Sequence, residues 1–102
     1  MKKIFDYLEA NYNKDLTISD AAAHINLTDS AFYKFVKRHT KKKFTQLLSE
    51  YRIEHASKKL SSTKMTIAEV CYDSGFKNLS YFNRRFKEIE KMTPSEYREK
   101  FI

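Results

Sequence analysis

DSGFKNLSYFNRR, residues 73–85, contains Gly75, the one glycine in 102 residues, with Tyr81-Phe82 and Arg84-Arg85 close behind it. So isolated a glycine marks a place where the backbone needs a conformation that other residues resist, above all positive φ at the end of a helix. Upstream, TIAEVCYD (66–73) pairs a threonine with a glutamate three residues later, so that each side chain can satisfy the other's backbone N–H at a helix start. Downstream, Asn78 precedes LSYFNRRFKEI and can cap a second helix. A short capped helix, a tight turn and a longer basic helix make the helix-turn-helix pattern.

The pattern occurs twice. TISDAAAHIN (17–26) falls on TIAEVCYDSG (66–75) with an offset of 49, and SAFYKFVK (30–37) on SYFNRRFK (80–87) with an offset of 50, so the second turn holds one extra residue. The offset of 50 persists afterwards, where FTQL at 44 falls on PSEY at 94. Asn26 takes the place of Gly75, and asparagine is the next most tolerant residue of a left-handed backbone. Ile4, Tyr7 and Leu8 predict a helix over 2–11, and Thr28 or Asp29 caps SAFYKFVKRH. Phe44, Leu47, Leu48, Tyr51, Ala56 and Leu60 predict one stripe on a helix of about 17 residues, about 25 Å long. Thr93-Pro94-Ser95-Glu96 opens the last helix, with proline at its first position. The expected class is all-α with seven helices: two helix-turn-helix subdomains, 1–43 and 63–102, joined by a linker helix at 44–62.

Composition narrows the function. The chain is 41% hydrophobic, 15% aromatic and 32% charged, with a net charge of +7 and a pI near 9.5, a balance that favours a polyanionic partner such as nucleic acid. No apolar run is long enough for a membrane span, and Asp6 and Glu9 interrupt the start before a signal-like core develops. The single Cys71 excludes an internal disulfide and suits a reducing compartment, so a cytoplasmic protein is expected. His24, His39 and His55 show no metal-ligand spacing with one another or with Cys71, and a chain with one glycine has no phosphate-cradling loop. No enzyme, cofactor or metal is expected. Cys71 falls on Ala22 of the other repeat and reads as a small core residue.

If Phe32, Phe35 and Val36 are core, the opposite face of their helix presents Asp29, Ser30, Tyr33, Lys34 and Lys37. In the second copy Leu79, Ser80, Asn83, Arg84 and Lys87 lie opposite Phe82, Phe86 and Ile89. Arg84 can pair with guanine O6 and N7 and Asn83 with adenine N6 and N7, each contributing about 1–3 kcal/mol of discrimination. Lys34 is the guanine reader of the first copy, Ser30 and Tyr33 suit thymine methyls, base edges or sugar, and Leu79 can at most read a methyl. KFVKRHTKKK (34–43) has six Lys or Arg and no acid. Lys37, Arg38, Lys41, Lys42, Lys43, Lys77, Arg85 and Lys87 are phosphate candidates, which position a protein without reading sequence. An ordinary solvated helix face is the competing reading of any one stripe. The aromatics Phe32, Phe35, Tyr81, Phe82 and Phe86 read as core, and Arg52 as a structural residue joining the two units.

IAEVCYDSGFKNLSYFNRRFKEIEKMTPSEYR (67–98) resembles the signature of the AraC/XylS family of bacterial transcription regulators, and RIEHASKKLSS (52–62) resembles the stretch that leads into it. The resemblance extends from about Ile4 onward and rests on Ile67-Ala68-Glu69, Gly75-Phe76, Tyr81-Phe82, Phe86-Lys87 and the closing Pro94, Tyr97 and Arg98. It implies two helix-turn-helix units, each placing one recognition helix in the major groove of promoter DNA, and regulation through RNA polymerase. The family's base-contacting positions fall on Ser30, Tyr33 and Lys34 and on Leu79, Ser80, Asn83 and Arg84. The sequence departs from the family at Lys41 and Lys91, where glycine is usual; each lysine must accept a left-handed turn or end its helix differently. The two recognition helices are expected about one DNA turn, roughly 34 Å, apart, with DNA bending or one loosely seated unit if they run too nearly parallel. The competing class is a basic architectural or single-strand-binding module without sequence preference, and a third is a protein-interaction bundle. The domain is expected to be monomeric. No part of it has the composition of a sensing or dimerising domain, so Met1 is expected to begin either a stand-alone member or a fragment of a longer regulator that would dimerise, if at all, through such a domain.

Overall fold

In the computed structural model, which describes residues 1–101, the chain forms α1 (Lys2–Asn11), α2 (Ile18–His24), α3 (Asp29–Thr40), α4 (Phe44–Ser62), α5 (Ile67–Asp73), α6 (Leu79–Glu90) and α7 (Pro94–Phe101). Seven helices and no strand occur among the described residues, as the sequence predicts.

Capping side chains fix most of the helix starts. Thr17 accepts from the Asp20 N–H at 3.0 Å while the Asp20 carboxylate accepts from the Thr17 N–H at 3.3 Å. The same reciprocal pair forms between Thr66 and Glu69 and between Thr93 and Glu96. Thr28 caps α3 through the Ala31 N–H at 3.1 Å, and Asn78 caps α6 through the Tyr81 N–H at 2.8 Å. Each cap contributes about 1 kcal/mol by satisfying a donor that the helix leaves orphaned.

The helix ends also repeat. Asn26 has φ 59° and Gly75 φ 102°, and the next residue in each copy bonds back to the fifth carbonyl behind it: Leu27 to Ala22 at 2.9 Å, Phe76 to Cys71 at 3.1 Å. Leu27 is followed at once by its cap Thr28, whereas Lys77 intervenes between Phe76 and Asn78, which locates the extra residue of the second turn. Lys41 and Lys91 do accept the left-handed turn, at φ 63° and 65°. A side chain there costs about 1–2 kcal/mol. Local hydrogen bonds offset part of that cost: the Thr40 hydroxyl donates to the Val36 carbonyl at 2.7 Å and accepts from the Lys42 N–H at 3.1 Å, and Lys91 Nζ donates to the Glu88 carbonyl at 2.8 Å.

The chain divides into two compact units, Met1–Tyr51 and a second from Arg52 onward, with the division inside α4. The first core joins Ile4, Leu8, Ala21, Ala22, Phe32, Val36, Phe44, Leu47 and Leu48. The second joins Ile53, Ala56, Leu60, Val70, Cys71, Phe76, Phe82 and Phe86. The single stripe expected on α4 is corrected accordingly. At about 100° per residue, Ile53, Ala56 and Leu60 lie on a different face of the helix from Phe44, Leu47 and Leu48. The offset of 49 carries Ile4 to Ile53, so the second half of α4 serves its core as α1 serves the first.

Within the second unit α4 is tied to its neighbours by Ser57 Oγ donating to Glu90 at 3.1 Å, a Lys59–Asp73 ion pair, and Arg98 Nε donating to the Leu60 carbonyl at 3.1 Å. Arg52 is structural in this unit, its guanidinium 5.7 Å from the Phe76 ring centre. Cys71 is fully buried, and desolvation pushes its thiol up to about 11, so it packs and does not react.

Candidate nucleic-acid interface

Helices α3 and α6 are both 12 residues long and stand in the same frame. Burial of Phe32 and Val36 in one and Phe82 and Phe86 in the other, all at 0% exposure, leaves the opposite faces to solvent. Ser30, Tyr33, Lys34 and Lys37 are exposed on α3, and Ser80, Asn83, Arg84 and Lys87 on α6. Leu79 is only partly available, because it packs against the second core. Asp29 is exposed on the same face, and its carboxylate accepts from Ser19 Oγ at 2.7 Å, linking α2 to the first turn of α3, where its negative charge suits the helix dipole.

The cations differ in how they are held. The Arg84 guanidinium lies 5.1 Å over the Tyr81 ring with its Nε 3.7 Å from Glu88. No carboxylate pairs with Lys34, the matching residue, among the described residues. Lys37, Arg38, Lys41, Lys43, Lys77 and Lys87 are solvent-accessible, whereas Lys42 is paired with Glu50 at 2.8 Å. Arg85 donates to Glu88 at 2.8 Å and its side chain is only 15% exposed, so of the phosphate candidates it is strongly engaged within the protein. Residues 84–93 carry Arg84, Arg85, Lys87 and Lys91 against Glu88 and Glu90, while residues 34–43 carry six cations and no acid.

One aromatic assigned to the core lies elsewhere, and a second stands at its edge. Tyr81 is 39% exposed, its ring 6.0 Å from Phe76 and beneath Arg84. Phe35 is partly buried and packs against the first core, as expected, its ring 4.3 Å from His39. Both sit on the flanks of their helices, about 100° around from Phe82 and Val36 respectively, between the core and exposed faces. The support that Tyr81 and Glu88 give Arg84 was missed from sequence, although Arg84–Glu88 and Arg85–Glu88 stand at the helix-neighbour spacings of four and three that signal such pairs. Among the described residues no group of His, Cys, Asp and Glu could hold a metal ion, and no helix is long and apolar enough to cross a membrane.

A family model described as a helix-turn-helix domain matches residues 21–100. The crystal structure of a protein described as a probable AraC family transcriptional regulator from Rhodopseudomonas palustris superposes with a TM-score of 0.90 at 25% identity, covering 97% of this chain and 94% of that one. The chain belongs to the AraC family. This AraC family chain is also 31% identical over 96 residues to the lactose operon transcription activator of Staphylococcus xylosus, across 94% of its own length and 34% of the activator's. The DNA-binding domain of AdpA, solved in complex with a target DNA, shares its fold at a TM-score of 0.90 and 17% identity, over 98% of this chain and 90% of that one. The chain spans 34% of the Staphylococcus xylosus activator and 13% of Staphylococcus aureus HTH-type regulators that it matches.

Proposed function

We propose that this chain binds double-stranded promoter DNA sequence-specifically as part of a transcription regulator, with α3 and α6 entering successive segments of the major groove. The observation that carries this reading is the duplicated face. Two helices, 50 residues apart in sequence and each capped by a side chain, bury apolar residues at matching positions, Phe32 with Val36 and Phe82 with Phe86, and expose matching stripes of Ser, Lys or Arg. In this reading Lys34 and Arg84 pair with guanine, Asn83 with adenine, and Ser30, Tyr33 and Ser80 with base edges or sugar, while the exposed part of Leu79 meets a thymine methyl. Lys37, Arg38, Lys41, Lys77 and Lys87 hold phosphates, with Arg85 reaching the backbone from the flank. The AdpA complex supports DNA as the ligand of the fold. The role is binding, not catalysis; it is exercised in the cytoplasm, and RNA polymerase is the further partner of the assembled regulator.

The test is to select duplexes from a randomised pool and titrate the winner and a scrambled version with the chain across a series of salt concentrations. A selected duplex bound at least about 10³-fold tighter than the scramble, with affinity falling steeply in salt, is the expected result. Equal affinity for both would make the chain an architectural module, a reading favoured by the acid-free cationic run at 34–43. No binding at low salt would leave a protein-interaction bundle.

A further inference from the structure

Leu27, Ala31, Lys34, Phe35 and Arg38 line a cleft of about 360 Å³, open to solvent, on the flank of α3. Its floor is apolar, and the two cations at its rim have no carboxylate partner among the described residues. The equivalent flank of α6 is furnished by its own chain. Leu27 corresponds to Phe76, Ala31 to Tyr81, Lys34 to Arg84, Phe35 to Arg85 and Arg38 to Glu88. There the Tyr81 ring lies beside Phe76 and under Arg84, and Glu88 pairs with Arg84 at 3.7 Å and with Arg85 at 2.8 Å. Where the second unit has a ring and a carboxylate, the first has a methyl group and another cation.

We propose that the α3 cleft is a docking site for an acidic segment of a protein partner. The segment inserts an aromatic ring beside Ala31 and presents a carboxylate to Lys34 and Arg38, supplying from outside what Tyr81 and Glu88 supply from within. The apolar floor gains from covering, and a carboxylate between two cations at its edge makes charge-assisted hydrogen bonds that also fix orientation. Duplex DNA is the poorer match for this cleft, because its phosphates suit the cations but its rings stay stacked inside the helix. Given the DNA reading above, which assigns Lys34 to a base and Arg38 to a phosphate, the docked segment and DNA exclude each other. The partner thereby releases the first unit from its site.

The test uses the whole chain and a short fluorescein-labelled helical peptide bearing one Phe among Glu residues, with Phe→Ala and Glu→Gln control peptides. Anisotropy should show the parent peptide binding about tenfold or more tightly than either control, with amide shifts in ¹H–¹⁵N spectra centred on Leu27, Ala31 and Phe35. Ala31→Tyr, which fills the cleft as Tyr81 fills its counterpart, should weaken peptide binding about tenfold while keeping DNA affinity within about twofold. Arg38→Gln, at an exposed position that the fold does not need, should also weaken peptide binding. Saturating peptide should release bound duplex. No binding, equal binding by the controls, shifts elsewhere, or full peptide affinity in both variants would overturn the proposal. A chain that binds the peptide at the cleft but shows no DNA sequence preference would contradict the DNA reading alone.

Discussion

The first helix-turn-helix unit and the second share helix lengths, caps and left-handed ends, but they divide aromatic mass and charge differently. In the first, Phe32 meets Phe44 at 5.1 Å, and aliphatic side chains fill most of the remaining core. In the second, rings follow one another from Phe76 to Phe82 to Phe86 to Tyr97 at 5.2, 5.8 and 5.5 Å. On the surface the order reverses: among the described residues α3 carries cations without carboxylate partners, and α6 ties its arginines to Glu88. The frame depends on a few backbone-directing positions that both copies keep, which leaves the rest of each sequence free to specialise. On the proposed DNA reading, the first unit attracts the polyanion and the second holds the Arg84 guanidinium ready for one base.

The largest expected effect lies in the cores. Phe82→Ala should cost about 3–5 kcal/mol in urea denaturation, and more than Phe32→Ala by about 0.5–1.5 kcal/mol, because it removes ring partners on two sides. Equal costs would break the packing half of the comparison. Next comes the charge on the recognition helices. Arg38→Glu should weaken DNA binding and flatten the plot of log K against log salt by about 0.9 for each phosphate no longer neutralised, whereas Glu88→Gln should steepen the plot while reducing discrimination between sequences. If both variants leave the slope unchanged, the asymmetry of charge has no bearing on DNA.

The left-handed lysines separate backbone strain from binding. Lys41→Gly and Lys91→Gly should each raise stability by up to about 1 kcal/mol in urea denaturation, with the smaller gain at Lys91, whose ammonium also holds the Glu88 carbonyl. Only Lys41→Gly should weaken DNA binding, since Lys41 alone of the two is assigned to a phosphate. The smallest effect is on acid stability. Hydrogen bonds from their capping partners Thr66 and Thr93 hold the Glu69 and Glu96 carboxyls below the usual carboxylate range. Their contribution is therefore complete above the unfolded value, near about 4.3, and disappears as pH falls through the folded one. Thermal melts between about pH 6 and pH 3, a range that brackets that value, should show Glu69→Ala less stable than wild type at the upper end and less sensitive to acid. Parallel curves for the two proteins would count against the cap.

The parts of this architecture that were legible in the sequence are the ones that neighbouring residues decide. Thr17, Thr66 and Thr93 each stand three residues before an acid, and Asn26 and Gly75 each end a short helix, so caps and turns could be placed before any packing was known. The faces of α3 and α6 followed from Phe32, Val36, Phe82 and Phe86. What could not be read depends on packing across elements. Tyr81 looks like a core aromatic until Phe76 is seen occupying the inside and leaving it the flank. Leu79 looks exposed until the second core is assembled around it. The apolar residues of α4 look like one stripe because nothing local reveals that Leu48 and Ile53 are buried in different cores. Lys41 and Lys91 were ambiguous for a related reason: whether a lysine takes positive φ depends on what else satisfies the helix end.

The most direct test of the central claim, that α3 and α6 each read bases, is selection from a randomised duplex library with wild type, Lys34→Ala and Arg84→Ala side by side. Two enriched blocks about one helical turn, roughly ten base pairs, apart are expected, with Lys34→Ala relaxing one block and Arg84→Ala the other, and the sharper relaxation for Arg84→Ala. A selected motif left intact by both variants, which then merely bind more weakly at every sequence, would contradict it and assign both side chains to phosphates.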